Sequence, residues 1–168
     1  MKVVETPLAG VKVLEIEPAR DERGYFLQTY SDELHTLLPH IAEGAVSWNE
    51  TKGTLRGLHF QHAPHGEAKI VRCSRGAVYD VALDLESGRW FAIELSRDNF
   101  RTLFIPAGLA HGYLTLEDDT EVSYLLSGGY KPEAGGGVRW DDPAFRIDWP
   151  MQPVRLSERD RSWPYVNR

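Results

Sequence analysis

Apolar and polar side chains alternate at every second position along much of this chain, and short turns interrupt the pattern at close intervals. A period of two is that of a β-strand with one face buried. The pattern predicts strands over Val11–Ile16, Tyr25–Tyr30, Ala68–Cys73, Ala77–Leu85, Trp90–Leu95, Thr102–Ile105, Tyr113–Leu116 and Glu121–Leu126. Arg75-Gly76, Ser87-Gly88, Asp118-Asp119 and Ser127-Gly128-Gly129 supply the turns between them. Many short strands so closely spaced imply antiparallel sheets, closed or sandwiched. Helix signals are few. Ser31 is positioned to cap Asp32 to Leu38, and Ser157 a last turn through Asp160. No repeat or linker divides the sequence. Residues 1–168 therefore read as one mainly β domain, with 130–168 wrapping the barrel.

The 168 residues suffice for one sizeable core. Cys73 is the single cysteine, so no internal disulfide can form, which fits a reducing compartment. The first ten residues contain no signal-type apolar run, and no stretch approaches the roughly 18 apolar residues of a membrane span. A cytoplasmic location is expected. The formal net charge of −6 gives no reason to expect nucleic-acid binding. It does not exclude a small anion held by local cations, for which Arg23, Arg56 and Lys69 are the candidates.

Two segments stand out chemically. In Thr54-Leu55-Arg56-Gly57-Leu58-His59-Phe60-Gln61, a bulge at Gly57 would put Arg56 and His59 on one side of a strand. His59 then reads either as a general base or as a structural hydrogen-bonding group. Pro106-Ala107-Gly108-Leu109-Ala110-His111 makes a tight turn and resembles the second motif of the cupins, small double-stranded β-helix barrels. Many cupins bind a metal through a first motif of two histidines one residue apart, then a glutamate. Here the spacing is His59, His62, His65 and Glu67, from which a facial site is hard to build, so no metal is expected. Lys69 opens an apolar strand and reads as a solvated strand end or as a buried cation with a task. Tyr124 reads as a core aromatic with a bonded hydroxyl or as a working phenol, and Asp160 as a surface charge or a partner.

In order along the chain, Asp21–Phe26, Arg56–Gln61, Lys69–Arg72, Gly76–Leu85, Ile105–Tyr113, Trp140–Pro143 and Leu156-Ser157-x-x-Asp160 resemble the dTDP-4-dehydrorhamnose 3,5-epimerase family from about residue 11 to residue 160. That resemblance implies a metal-independent cupin-type jelly-roll barrel, usually homodimeric, with its active site inside each barrel. It implies a nucleoside-diphosphate 4-keto-6-deoxy sugar as substrate, inverted at carbon 3, carbon 5 or both, with no cofactor. By motif position His59 is similar to the family's base, Asp160 to its dyad partner, Lys69 to the residue facing the ketone oxygen and Tyr124 to the acid on the other face. His111, Asn49, Tyr130 and Ser47 match pocket positions, and Arg23 and Arg56 match diphosphate contacts.

The sequence departs from the family pattern in places. The stretch Glu86–Arg89 is a trimmed loop. The family's base-stacking aromatic falls at Ala19 or Arg20, and its thymine-contacting acid at Gln28. Leu125 replaces a lysine and Ser47 a glutamine. These leave the nucleobase open. Two other readings remain at this level: a metal-dependent cupin enzyme and a non-catalytic sugar-nucleotide binding module.

Overall fold

The computed structural model describes residues 1–166. Thirteen strands run in the order β1 (Lys2–Glu5), β2 (Lys12–Glu15), β3 (Ala19–Asp21), β4 (Gly24–Phe26), β5 (Glu43–Asn49), β6 (Leu55–Gln61), β7 (Lys69–Arg75), β8 (Ala77–Leu83), β9 (Trp90–Ser96), β10 (Arg101–Ile105), β11 (Ala110–Thr115), β12 (Thr120–Leu126) and β13 (Gly135–Gly137). One short helix, α1 (Glu158–Ser162), lies near the end. A six-stranded sheet has the order β1-β2-β10-β7-β12-β5, and a five-stranded sheet the order β13-β6-β11-β8-β9. Every strand pairing is antiparallel. The result is the mainly β, cupin-like jelly roll that the resemblance implies.

The period-two pattern builds the core. Val71 and Cys73 on β7, Leu103 and Ile105 on β10, and Val122 on β12 pack with Val78 and Ala82 on β8, Leu95 on β9 and Tyr113 on β11. Residues named from one strand sit two or four positions apart, so they point to the same side, between the sheets. Burying a side chain of this size contributes about 1.5–3 kcal/mol. The outer face of the five-stranded sheet is apolar too. Leu58, Val81, Leu83 and Ala110 are covered by Val138, Phe145, Ile147 and Trp149 from the C-terminal segment. Two indoles pin that segment: Trp90 Nε1 donates to the Phe145 carbonyl at 3.1 Å and Trp149 Nε1 to the Trp140 carbonyl at 2.9 Å. Among the described residues no helix is long and apolar enough to cross a membrane.

The structure departs from the sequence reading in several places. Of the expected Tyr25–Tyr30 strand only Tyr25 and Phe26 form strand, within β4 (Gly24–Phe26) of the small exposed hairpin with β3. No core lies beneath it to reward a longer strand. The expected helix over Asp32 to Leu38 is a 3₁₀ turn, Asp32–Thr36, and the Ser31 side chain makes no cap. Burial of Leu34 and Leu38 holds the turn against Leu14, Ile70 and Phe104 instead. Ser157 does cap α1, its Oγ accepting from the Asp160 backbone N–H at 3.0 Å.

The expected irregularity at Gly57 is present. His59 pairs with His111 and Arg56 with Tyr113, so three steps on β6 oppose two on β11. That is a bulge, and it brings Arg56 and His59 onto one cavity wall. Gly57 has φ +134°, and a Cβ there would lie 2.5 Å from the Gly112 Cα. The atoms it would meet are all backbone of β11, which leaves no side chain to yield. Gly57→Ala is expected to destabilise the barrel by about 2 kcal/mol or more, read as a lower midpoint in urea unfolding.

Candidate active site

A cavity of about 300 Å³ opens between the two sheets. Arg56 and His59 from β6, Lys69 from β7, His111 and Tyr113 from β11, and Tyr124 from β12 line it, with Ala45 from β5 and Glu67 before β7. Apart from Glu67, each of these side chains comes from a paired strand, so its direction is fixed by sheet register rather than by a loop.

His59 Nε2 lies 2.6 Å from Asp160 Oδ1. Asp160 is 3% exposed, and its second oxygen accepts from the Gly57 N–H at 3.3 Å. The bulge and the α1 cap thus position one carboxylate between them. Burial pushes the Asp160 carboxyl up, but the hydrogen bond and charge of His59, then Gly57 N–H and Ser157, outweigh it and hold the group below its ordinary value. An anionic Asp160 accepts the Nε2 proton, which leaves the lone pair of neutral His59 on Nδ1. Nδ1 has no hydrogen-bond partner among the described residues, and 40% of the side chain is accessible.

Lys69 is largely enclosed, with its Nζ 3.3 Å from Glu67 Oε1. Gln61 Nε2 donates to the other Glu67 oxygen at 3.2 Å. The cation is therefore paired and held at the cavity wall, as burial of a lysine requires. Tyr124 lies on the wall formed by β12. Burial raises its phenol well above the ordinary value, Tyr113 raises it further, and the Ser47 hydroxyl draws it back in part. Tyr124 is consequently a neutral proton donor near neutral pH. His111 Nε2 is bonded to both oxygens of the fully buried Asp80, at 2.9 and 3.1 Å. Its ring meets that of Tyr124 edge-on at 6.3 Å.

Arg56 is held from behind. Its Nε donates to Asn49 Oδ1 at 2.8 Å and one terminal nitrogen to the Trp48 carbonyl at 3.2 Å. Asn49 and Ser47 stand behind the wall, not in it. Arg23, Gln28 and Tyr130 lie outside this cavity. Arg23 sits exposed at the β3–β4 turn and pairs with Asp21. Gln28 lines a separate surface cleft with Tyr30 and Ser31. The Tyr130 hydroxyl accepts from Arg159 at 3.1 Å. His62 and His65 lie in the loop after β6, and among the described residues no three His, Cys, Asp or Glu side chains form a metal-holding set.

Sequence reasoning passed over Asp80 and Tyr113, and weighed Glu67 only as a metal ligand. A charged residue inside the apolar run Ala77–Leu83 was the available signal for Asp80, since a buried carboxylate requires a partner. Glu67 and Tyr113 carried no comparable mark.

A jelly roll holding a carboxylate-backed histidine, an enclosed lysine and a neutral phenol around one cavity defines a cupin-like enzyme of acid–base chemistry. The family model for dTDP-4-dehydrorhamnose 3,5-epimerase matches residues 5–168. The chain belongs to that family. It is 42% identical over 168 residues to a dTDP-4-dehydrorhamnose 3,5-epimerase of Sinorhizobium fredii, covering 94% of this chain and 85% of the relative. The crystal structure of the Bacillus anthracis dTDP-4-dehydrorhamnose 3,5-epimerase with TDP and PPi bound superposes with a TM-score of 0.92 at 36% identity, covering 98% and 99% of the two chains. ChmJ, a 3'-monoepimerase from Streptomyces bikiniensis in complex with dTDP-quinovose, matches with a TM-score of 0.89 at 30% identity, covering 96% of this chain and 86% of that one.

Proposed function

We propose that this protein is an isomerase that epimerises a nucleoside-diphosphate 4-keto-6-deoxy sugar beside its ketone, at carbon 3, carbon 5 or both. The observation that carries this reading is the His59–Asp160 dyad opening onto the cavity that also holds Lys69 and Tyr124. A C–H bond beside a ketone is a weak acid because its loss gives an enolate. Neutral imidazole is a suitable base near neutral pH. His59 takes the proton, and Asp160 supports the imidazolium that results. The enolate oxygen needs a cation placed in advance, which Lys69 supplies. Tyr124 returns a proton to the opposite face, and the stereocentre inverts. Protons balance and no electron is transferred, so the chemistry calls for no cofactor.

Arg56 is the diphosphate contact in this reading, because a planar guanidinium donates two parallel bonds to a phosphate. A neighbouring cavity of about 340 Å³ shares Arg56 and His59 and adds Arg159, giving the nucleotide a cationic place beside the sugar. Relatives bound to TDP and dTDP-quinovose support a nucleotide sugar as ligand. A homodimer belongs to the proposal. The edge strand β5 presents Val46 and Trp48 to solvent, 63% and 52% exposed. Arg23 and Gln28 lie outside the chain's own cavity and would reach a nucleotide only across such a dimer. A cytosolic location fits a nucleotide-linked substrate and the reduced, buried Cys73.

The test is direct. Chelator-treated protein incubated with a dTDP-linked 4-keto-6-deoxyhexose is expected to produce its epimer, visible as changed ring-proton couplings by NMR. Turnover that vanished with chelator and returned with added metal would contradict the mechanism.

A further inference from the structure

Four hydrogen bonds link the Arg56 guanidinium to the Tyr124 phenol behind the cavity wall. Their direction can be read from the groups at each end. Arginine only donates, so the atom of Asn49 facing Arg56 Nε at 2.8 Å is the carbonyl Oδ1. The backbone carbonyl of Thr120 only accepts, so the Asn49 atom 3.1 Å from it is Nδ2. Both neighbours fix the amide the same way round. Nδ2 then also donates to the Tyr113 hydroxyl at 3.2 Å. The Tyr113 proton has two acceptors in reach. Ser47 Oγ at 2.7 Å is closer than Asn49 Oδ1 at 3.3 Å, and Oδ1 is already engaged by Arg56. Tyr113 therefore donates to Ser47, which leaves the Ser47 proton for the Tyr124 hydroxyl at 3.4 Å. Every donor points toward Tyr124.

We infer that Ser47, oriented by the chain from Arg56 through Tyr113, is a positioning residue that stabilises the phenolate formed when Tyr124 protonates the sugar. The inference rests on the epimerase reading above. In that step the Tyr124 O–H bond breaks, a C–H bond forms with the enolate electron pair, and the negative charge stays on the phenol oxygen. Tyr124 sits where burial strongly disfavours that charge. The Ser47 proton is the donor nearest to compensate, and chained donors strengthen one another. Tyr113 is almost wholly buried, so water does not replace it in the chain.

Other groups also face Tyr124: Asp80 and His111 from β8 and β11, Lys69 from β7 with Glu67 before it, and His59 and Arg56 from β6. Substitutions at Ser47 leave all of these in place. Ser47→Ala removes the link to Tyr124, and Ser47→Thr keeps a hydroxyl. The readout is the ¹⁹F NMR titration of a fluorinated tyrosine at position 124, whose lowered pKa brings the phenolate into the range the fold survives. Ser47→Ala is expected to raise the midpoint by about one pH unit, and to lower the rate of epimer formation by about tenfold at unchanged KM. Exchange of the substrate proton facing His59 stays at the parent rate, because the first half of the reaction is untouched. Ser47→Thr restores both values toward the parent. A midpoint unmoved in Ser47→Ala would overturn the inference. Failure of the parent protein to epimerise any nucleotide sugar would instead remove the epimerase reading, while the midpoints would still report on the chain.

Discussion

His59→Asn is expected to lower turnover by about 10³-fold while leaving the barrel folded. Two imidazoles line the cavity, and His59 is the accessible one, at 40% of its side chain, whereas His111 is buried against Asp80. Removing His59 takes away the accessible base. The residue left behind still suits the fold. Asparagine carries an N–H that can donate to Asp160, so the buried carboxylate keeps a partner. The side chain sits at the cavity rim and is partly accessible, so truncation there leaves no closed void. The measurement pairs the rate of epimer formation with the thermal unfolding midpoint. The first is expected to collapse and the second to move by only a few degrees. Lys69 and Arg56 stay in place, so substrate binding is expected to persist, which separates loss of the base from loss of the site.

Asp160→Asn is expected to cost about 10²-fold or more in turnover through one proton in the wrong place. A carboxylate accepts from His59 Nε2 and leaves the lone pair on Nδ1. An amide at position 160 can donate to Nε2 instead, which moves the imidazole proton to Nδ1, the nitrogen without a protein partner. The substitution also alters acid stability, and its sign follows from the depressed carboxyl. A group whose folded pKa lies below its unfolded value, about 3.9 for aspartate, stabilises the fold above that value. That stabilisation disappears as the pH falls through the lower folded pKa. The parent protein is thus expected to lose stability over this acid window, and the variant to lose less across it. Urea midpoints measured between neutral pH and the acid limit of the fold check the slope. A variant with parental turnover would remove Asp160 from the dyad.

Much of the fold was legible because period-two burial leaves a direct mark. The strand over Thr120–Leu126 alternates in burial at its start, and Ala77–Leu83, covered on both faces, reads as a near-continuous apolar run. β5 left no such mark because its pattern runs the other way. Ser47 and Asn49 point inward toward the polar network, while Val46 and Trp48 face outward. A strand that lines a cavity and presents an apolar outer face does not read as a core strand. β13 was hidden for a different reason. Gly135–Gly137 has no side chains to alternate, and it pairs with β6 through backbone alone. The Gly57 bulge was visible as a glycine between an arginine and a histidine, and its consequence for their common face followed from strand geometry. The His59–Asp160 contact spans about a hundred residues, and no local pattern encodes it. Only the family resemblance linked the two in the sequence. The chain from Arg56 to Tyr124 was out of reach, because it depends on the orientation of Asn49 and on two hydroxyls brought together by register.

The most direct test of the account is solvent isotope incorporation. The protein is incubated in deuterium oxide with the nucleotide-linked 4-keto-6-deoxy sugar, and the product is examined by proton NMR. Deuterium is expected at the inverted carbon beside the ketone, at one position or two, and none elsewhere on the ring. Inversion without deuterium at that carbon would contradict proton removal by His59, and with it the mechanism built on the dyad.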